Sequence, residues 1–349
     1  MNRFLTILLS RRGLAGMLAA ALLCLCLASC SGEIYDPTYG SLTLNEGTGN
    51  NGPGNSHLEL PTEPPTGDVI IITPTGDPYE NAEHVLRVDV LNVGDADATL
   101  LRMDDTVILI DTGESNDYMT ISQKLNEHGI TAIDYLIISH YDNDHIGTAS
   151  QILQNFTVKQ VYMPDYIRKS SLYSRMMSTL DALAGKTQVR RLHNEDVKID
   201  LPYGQLWINA TGLYGAGQEL GSDDSHALEE NNYSLITSVY FGDTSLLFAG
   251  DAENDRIAEF SARLSEEECA YDFIKIPHHG GYDTELGNFL RRNQGTRYFA
   301  VCVSSDTNPT VEGKLVTAMR HAGAPAYYTC NGHISYATDG KSMLIEQTK

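Results

Sequence analysis

Basic residues are scarce in this chain: 24 Lys and Arg stand against 46 Asp and Glu in 349 residues, a formal net charge of −22. Tight nucleic-acid binding draws most of its affinity from Lys and Arg on phosphates, so the balance counts against it and leaves room only for local patches. Arg190-Arg191 and Arg291-Arg292 are the candidates; otherwise they are solvated ends of strands or helices. Cysteine is also scarce, six in all. Cys24 and Cys26 lie near the amino terminus, and Cys269, Cys302 and Cys330 form an odd set that cannot pair completely. Cys302 and Cys330 either bridge in an oxidising compartment or stay as buried thiols. The sequence lacks a Gly-x-Ser-x-Gly elbow, which disfavours a serine nucleophile. It also lacks a glycine-rich loop ending in Lys to cradle phosphate, and any repeat at solenoid period.

What is present begins with a leader. Arg3, Arg11 and Arg12 precede an apolar run from Leu14 to Leu27, and Leu27-Ala28-Ser29-Cys30 follows. A basic, an apolar and a small-residue segment in that order make a secretory signal, expected over residues 1–29. The Leu-Ala-Ser-Cys ending resembles the bacterial lipobox. That resemblance implies cleavage before Cys30, a diacylglyceryl anchor on its thiol, and a place on the extracytoplasmic face of a bacterial membrane. An uncleaved membrane anchor is the alternative. Residues 30–83 are rich in Gly, Asn, Pro, Thr and acids and read as a flexible tether, with Val69-Ile70-Ile71-Ile72 its one apolar patch. The folded domain is expected over residues 84–349.

Within it, residues 85–91, 98–102 and 106–110 alternate as strands at hairpin spacing. Helices are expected over 117–128, 147–154, 170–184, 253–265, 284–292 and 311–321, with strands between them and an acidic loop over 215–230. The stripe Tyr173, Met176, Met177 and Leu180 reads as core. Strands in the amino half, mixed elements after, and a second strand set in the carboxyl half give an α/β (α+β) fold, two sheets covered by helices.

The densest chemistry follows the apolar run 133–138: Ser139-His140-Tyr141-Asp142-Asn143-Asp144-His145 places two imidazoles and two carboxylates in six residues. Such groups repel or titrate one another unless a cation holds them, and the mixture suits zinc, manganese or iron. Read blandly, its acids cap the following helix, Asp251 caps the next one, and His278-His279 is a surface pair. Yet all three segments stand at the ends of apolar runs, and together they read as a metal site.

The order of motifs supports this. Val93-Gly94-Asp95-Ala96-Asp97-Ala98, Asp111-Thr112-Gly113, the His140 loop, Asn231-Asn232-Tyr233-Ser234-Leu235, Gly250-Asp251 and Pro277-His278-His279-Gly280 together resemble the metallo-β-lactamase fold. Within it they are similar to the hydrolase domain of ComEC-type DNA-uptake competence proteins, over residues 85–345. The resemblance implies a four-layer αββα sandwich with one or two divalent ions at one edge between the sheets, zinc first and manganese second. It assigns His140 and Asp142 to one ion, Asp144 and His145 to the other, Asp251 to the bridge, and His278 to complete a site. His279 becomes a ligand or proton donor, Asp111 a carboxylate orienting a ligand imidazole, and Asp144 also the acceptor of a water proton. Two departures matter. Asp142 stands where many members have a second histidine, and the further ligand histidine common in the family has only His193 and His226 as candidates, so a one-metal centre is the alternative. The implied reaction is hydrolysis of phosphoesters, in nucleic acid or in a cell-wall phosphodiester. A phosphorylcholine or teichoic-acid phosphodiesterase, or a metal-binding adhesion module without turnover, are the alternatives. No protein partner is inferable from the residues.

Overall fold

The computed structural model describes residues 77–220, 230–265, 268–305, 311 and 313–348, all within the compact unit Gly76–Lys349. The leader, Cys30 and the patch at 69–72 lie outside them. Among the described residues no helix is long and apolar enough to cross a membrane. The folded part starts before His84: Tyr79 is buried, and Asp77 ion-pairs with Arg87. Composition had placed both with the tether, because polar neighbours hide a single buried aromatic.

Eight strands form the first sheet: β1 (Leu86–Val90), β2 (Thr99–Met103), β3 (Thr106–Ile110), β4 (Ala132–Ile137), β5 (Thr157–Pro164), β7 (Gln188–Leu192), β16 (His333–Thr338) and β17 (Met343–Thr348). Their order is β17-β16-β1-β2-β3-β4-β5-β7, antiparallel up to β3 and parallel beyond. The second sheet has β8 (Asp196–Leu201), β9 (Gly204–Asn209), β11 (Ile236–Phe241), β12 (Thr244–Phe248), β13 (Phe273–Lys275), β14 (Tyr298–Val301) and β15 (Ala326–Tyr328). Its order is β15-β14-β13-β12-β11-β9-β8, parallel from β12 to β15. Two three-residue strands, β6 (Tyr166–Arg168) and β10 (Gln218–Leu220), pair in parallel apart from both.

Parallel neighbours need crossovers, and helices supply them. In the first sheet these are α1 (Tyr118–Glu127), α2 (Asn143–Ile146), α3 (Ala149–Asn155) and α4 (Ser171–Ala182); in the second, α5 (Asn254–Arg263), α6 (Thr284–Arg292) and α7 (Gly313–Ala322). Alternation along β3 shows how one strand serves two layers. Ile108 and Ile110 face the second sheet, among Leu206, Val239, Phe241 and Phe248. Leu109 faces outward beneath Ile121, Leu125 and Ile152 of the helices. A matching outer core joins Leu247, Ile274 and Phe299 to Ile257, Phe260, Leu290 and Met319. The layers are therefore helices, sheet, sheet, helices, as expected. The stripe Tyr173, Met176 and Leu180 is core.

Two departures from the sequence reading have local causes. The closing strands β16 and β17 return to the first sheet, where Val88 of β1 faces Tyr336, because edge pairing is chosen by three-dimensional register. The short strands β6 and β10 carry too few residues to show a period. Cys302 and Cys330 follow the neighbouring strands β14 and β15 and no disulfide joins them, the second of the two alternatives the sequence left open.

Both parallel halves run their carboxyl ends to one edge. Loops there follow β3, β4, β12 and β13, the place where open α/β sheets collect functional side chains.

Candidate metal centre

Asp111 follows β3, and its carboxylate organises the loop after β4. Ser139 donates to it twice, from its backbone N–H to Oδ1 and from Oγ to Oδ2, each at 2.7 Å. His145 Nδ1–H donates to the same Oδ2 at 2.9 Å, and His140 Nδ1–H donates to Ser139 Oγ at 3.1 Å. With both Nδ1 atoms engaged as donors, the lone pairs of both imidazoles are left on Nε2. Those two Nε2 atoms, and Oδ1 of Asp251, are buried without a hydrogen-bond partner. The bland roles fail here: Asp142 begins α2 without a side-chain cap hydrogen bond, and α5 is capped at Glu253, not Asp251.

The second sheet brings the rest. Asp251 follows β12 through Gly250, whose φ of +52° is left-handed and whose Cβ, if present, would sit 2.6 Å from Ser139 Cβ. Only glycine lets the two sheet edges meet there. Gly250→Ala is expected to destabilise the fold by about 1–3 kcal/mol, read from denaturant midpoints; an unchanged midpoint would show that Ser139 can move aside. Past β13, the single 3₁₀ turn His278–Gly280 places both histidines at φ +49°. Together with Asp111 at +58°, they make three of the five described non-glycine residues with positive φ, so backbone strain is concentrated at this edge.

Four side chains converge. Asp251 Oδ2 lies 3.2 Å from His145 Nε2 and 3.3 Å from His279 Nε2, and His279 Nε2 lies 3.1 Å from Asp144 Oδ2. Asp144, His145, Asp251 and His279 each offer a donor atom, all within 4.8 Å of one another. His279 Nδ1–H donates to the Cys302 carbonyl at 3.1 Å, which again leaves Nε2 for the cluster. Burial alone would depress the pKa of His145, but Asp251, Asp144 and Asp111 outweigh it and hold it well above the imidazole range. In His279 burial is likewise outweighed, by Asp251 and Asp144, and the pKa rises to about 10. Burial would raise Asp251; His145 and His279 instead hold it well below the carboxylate range. Protons on two imidazoles thus balance the acids, and a divalent cation can replace them. Two imidazoles and two carboxylates, with His145 Nε2 and Asp251 Oδ1 buried and unpartnered, fit a divalent ion.

A second set, Asp97, Asp111 and His145, also lies within 4.8 Å. It is already closed by a protein cation. Lys275, 2% exposed, ion-pairs with Asp97 and donates to the Gly250 carbonyl at 3.3 Å.

A model of the metallo-beta-lactamase superfamily matches residues 91–295, the span that carries every side chain of this centre and leaves out only Cys302, whose carbonyl holds His279. The chain belongs to the metallo-β-lactamase superfamily. Recombination protein 2 of Haemophilus influenzae is 28% identical over 199 residues, 56% of this chain and 21% of that protein. ComE operon protein 3 of Bacillus subtilis is 22% identical over 227 residues, 60% of this chain and 27% of that one. This metallo-β-lactamase chain is thus a distant homologue of the competence proteins and spans only about a quarter of their length or less. Among solved structures, the metallo-beta-lactamase fold protein YhfI from Bacillus subtilis has a TM-score of 0.45 at 13% identity, covering 70% of this chain and 96% of that one. Unliganded yeast PDE1 has a TM-score of 0.45 at 12% identity, covering 72% and 99%.

Within this metallo-β-lactamase edge the expected residues divide. Asp144, His145 and Asp251 meet. The position expected for His278 is filled by its neighbour: His279 enters the cluster, while His278, its side chain 43% exposed, turns its Nδ1 to Glu253 Oε1 at 3.2 Å. Adjacent residues cannot both point inward from one tight turn, and sequence does not say which does. His140 and Asp142 face each other, Nε2 to Oδ2 at 3.6 Å, but belong to neither ligand set. Oδ1 of Asp142 instead meets Arg168 of β6, which also ion-pairs with the buried Glu230. His193 joins no ligand set among the described residues, and His226 lies outside them.

Sequence reading passed over Ser139, Arg168, Glu230 and Lys275. Lys275 did leave a signal, a lone cation in the apolar run Phe273-Ile274-Lys275-Ile276. Arg168 and Glu230 left none, because they are 62 positions apart and meet only through the fold.

Proposed function

We propose that this chain is an exported, lipid-anchored, metal-dependent hydrolase of phosphoesters. The observation that carries the reading is the cluster of Asp144, His145, Asp251 and His279, in which His145 Nε2 and Asp251 Oδ1 are buried without a partner. Three of the four side chains are nearly sealed, at 0, 4 and 8% exposure, whereas Asp144 is 25% exposed. The centre therefore opens at Asp144, as a catalytic rather than a structural site does. An ion held by these four, zinc first and manganese second, would supply Lewis acidity and bring a water pKa towards about 7.

The protein's own groups divide the remaining work. Asp111 fixes the His145 ring, Asp144 orients the attacking water and takes its proton, and Lys275 keeps the Asp97 carboxylate from competing for the cation. His279 is committed to the cluster and to Cys302. That leaves His278, exposed and oriented by Glu253, to protonate a leaving group.

Phosphoesters are favoured because one distant homologue is named Recombination protein 2, and recombination acts on nucleic acid, a phosphodiester. A small diester is favoured over a long polyanion by charge, and by the fate of the arginine pairs. Arg190 pairs with Glu195, Arg191 donates to Tyr166 O and Tyr173 Oη, and Arg292 is held on Ser261. Metal-loaded protein should therefore hydrolyse bis-(p-nitrophenyl) phosphate. Cleavage of single-stranded DNA would assign the nuclease reading, and cleavage of a phosphocholine ester alone the cell-wall one. Silence on all three, unchanged in Asp144→Ala, would leave a binding module. The anchor is tested separately: palmitate label that survives Cys30→Ala would overturn it.

Metal loading should be linked to pH. His279 is raised above its ordinary value of 6.5 to about 10, so its charge stabilises the metal-free fold fully below 6.5 and is lost as pH rises through about 10. A cation competes with that proton, so metal affinity is expected to rise about tenfold per pH unit and per proton between pH 7 and about 10. Titration calorimetry in buffers of different ionisation heat would read the protons released; none released would contradict the protonated cluster.

A further inference from the structure

The His140-Asp142 pair looks like half of a second metal site, yet its surroundings supply a different cation. Arg168 rises from β6, the short strand that pairs with β10 beside the edge, and its Nη1 contacts both Asp142 Oδ1 and Glu230. The guanidinium is only 14% exposed, and Glu230 is 2% exposed. Glu230 is fixed from its other side. Tyr166 Oη donates to Glu230 Oε1 at 2.8 Å and accepts from the Tyr141 backbone N–H at 2.7 Å. Tyr141 is itself buried, with its Oη donating to the Pro164 carbonyl. The arginine is thus built into a wall of buried groups.

We propose that Arg168 stands as a fixed cation in place of a second metal ion, so that this centre loads a single divalent ion at Asp144, His145, Asp251 and His279. The inference rests on the metal-centre reading above. An ion at His140-Asp142 would have to share the carboxylate with a guanidinium cation, and like charges repel. Displacing Arg168 instead would leave Glu230 as a buried carboxylate without counter-charge. The donor count points the same way. Neither ligand set within 4.8 Å includes His140 or Asp142 among the described residues. His140 Nε2 and the Asp142 carboxylate are the donors on that side, and with Arg168 on the carboxylate His140 Nε2 alone does not hold an ion. Arginine also brings what an ion would: permanent positive charge at the mouth, with planar N–H donors suited to a phosphoryl oxygen.

The test is metal stoichiometry, by titration calorimetry and elemental analysis with Zn²⁺ and with Mn²⁺, with thermal melts to confirm folding. Wild type is expected to bind one ion per chain. Arg168→Met/Glu230→Gln removes the cation and its buried counter-charge together and keeps an acceptor for Tyr166 Oη. It should bind two ions, the second lost again on adding His140→Ala. Two ions in the wild type would overturn the role of Arg168 while leaving the metal centre intact, as would a folded double variant that still binds one. No ion in the wild type would overturn the metal-centre reading itself.

Discussion

Asp251→Ala is expected to lower affinity for Zn²⁺ or Mn²⁺ by more than about 100-fold, the upper end of what replacing an outer partner costs, and to abolish turnover. Asp251 is the group on which the centre closes: it lies 3.2 Å from His145 Nε2 and 3.3 Å from His279 Nε2, and its other oxygen is buried and unpartnered. The histidine pair provides the sharper contrast. His279→Ala should approach the loss seen for Asp251, because its Nε2 sits among Asp144 and Asp251. His278→Ala should change metal affinity less than about tenfold, because that ring is turned to Glu253. Calorimetric titration of all three variants would read both effects. Equal losses in the two histidine variants would show that the turn after β13 rearranges when an ion enters.

Lys275→Met is expected to destabilise the protein by about 3–5 kcal/mol. Its ammonium is buried against Asp97, whose Oδ1 has no hydrogen-bond partner, so removing the cation strands a carboxylate in the interior. Burial alone would lower the lysine pKa, but Asp97 outweighs it and raises the pKa above the ordinary 10.5. A raised lysine pKa stabilises fully below that ordinary value and is lost only above it, so the difference should persist unchanged from pH 7 to 10. The expected fall in melting temperature is about 10 °C. Lys275→Met/Asp97→Asn should recover most of it, since neutralising both partners removes the stranded charge. A single-variant loss under about 1 kcal/mol would mean that water reaches Asp97. The same variant probes selectivity of the edge, because a freed Asp97 would join Asp111 and His145 as a competing ligand set.

These two side chains also mark where reading the sequence stops. Local pattern was enough for the strand β3, because Thr106-Val107-Ile108-Leu109-Ile110 alternates between two buried faces and nothing distant can change that period. It was enough to mark Asp144, His145 and Asp251 as candidate ligands, because acids and imidazoles gathered at the ends of apolar runs suit a cation. Which of His278 and His279 turns inward depends on a left-handed turn whose direction is set by the Cys302 carbonyl and by Glu253, residues 23 positions downstream and 25 upstream. Arg168 and Glu230 find Asp142 only because β6 pairs with β10 beside the edge, and a salt bridge between distant residues leaves no periodic trace. The amino-acid sequence by itself determined the layered fold and which residue types stand at the strand ends, since both follow from hydrophobic period and side-chain type. The tertiary structure alone decided which histidine serves the centre and which cation faces Asp142, since both depend on distances that loop closure sets.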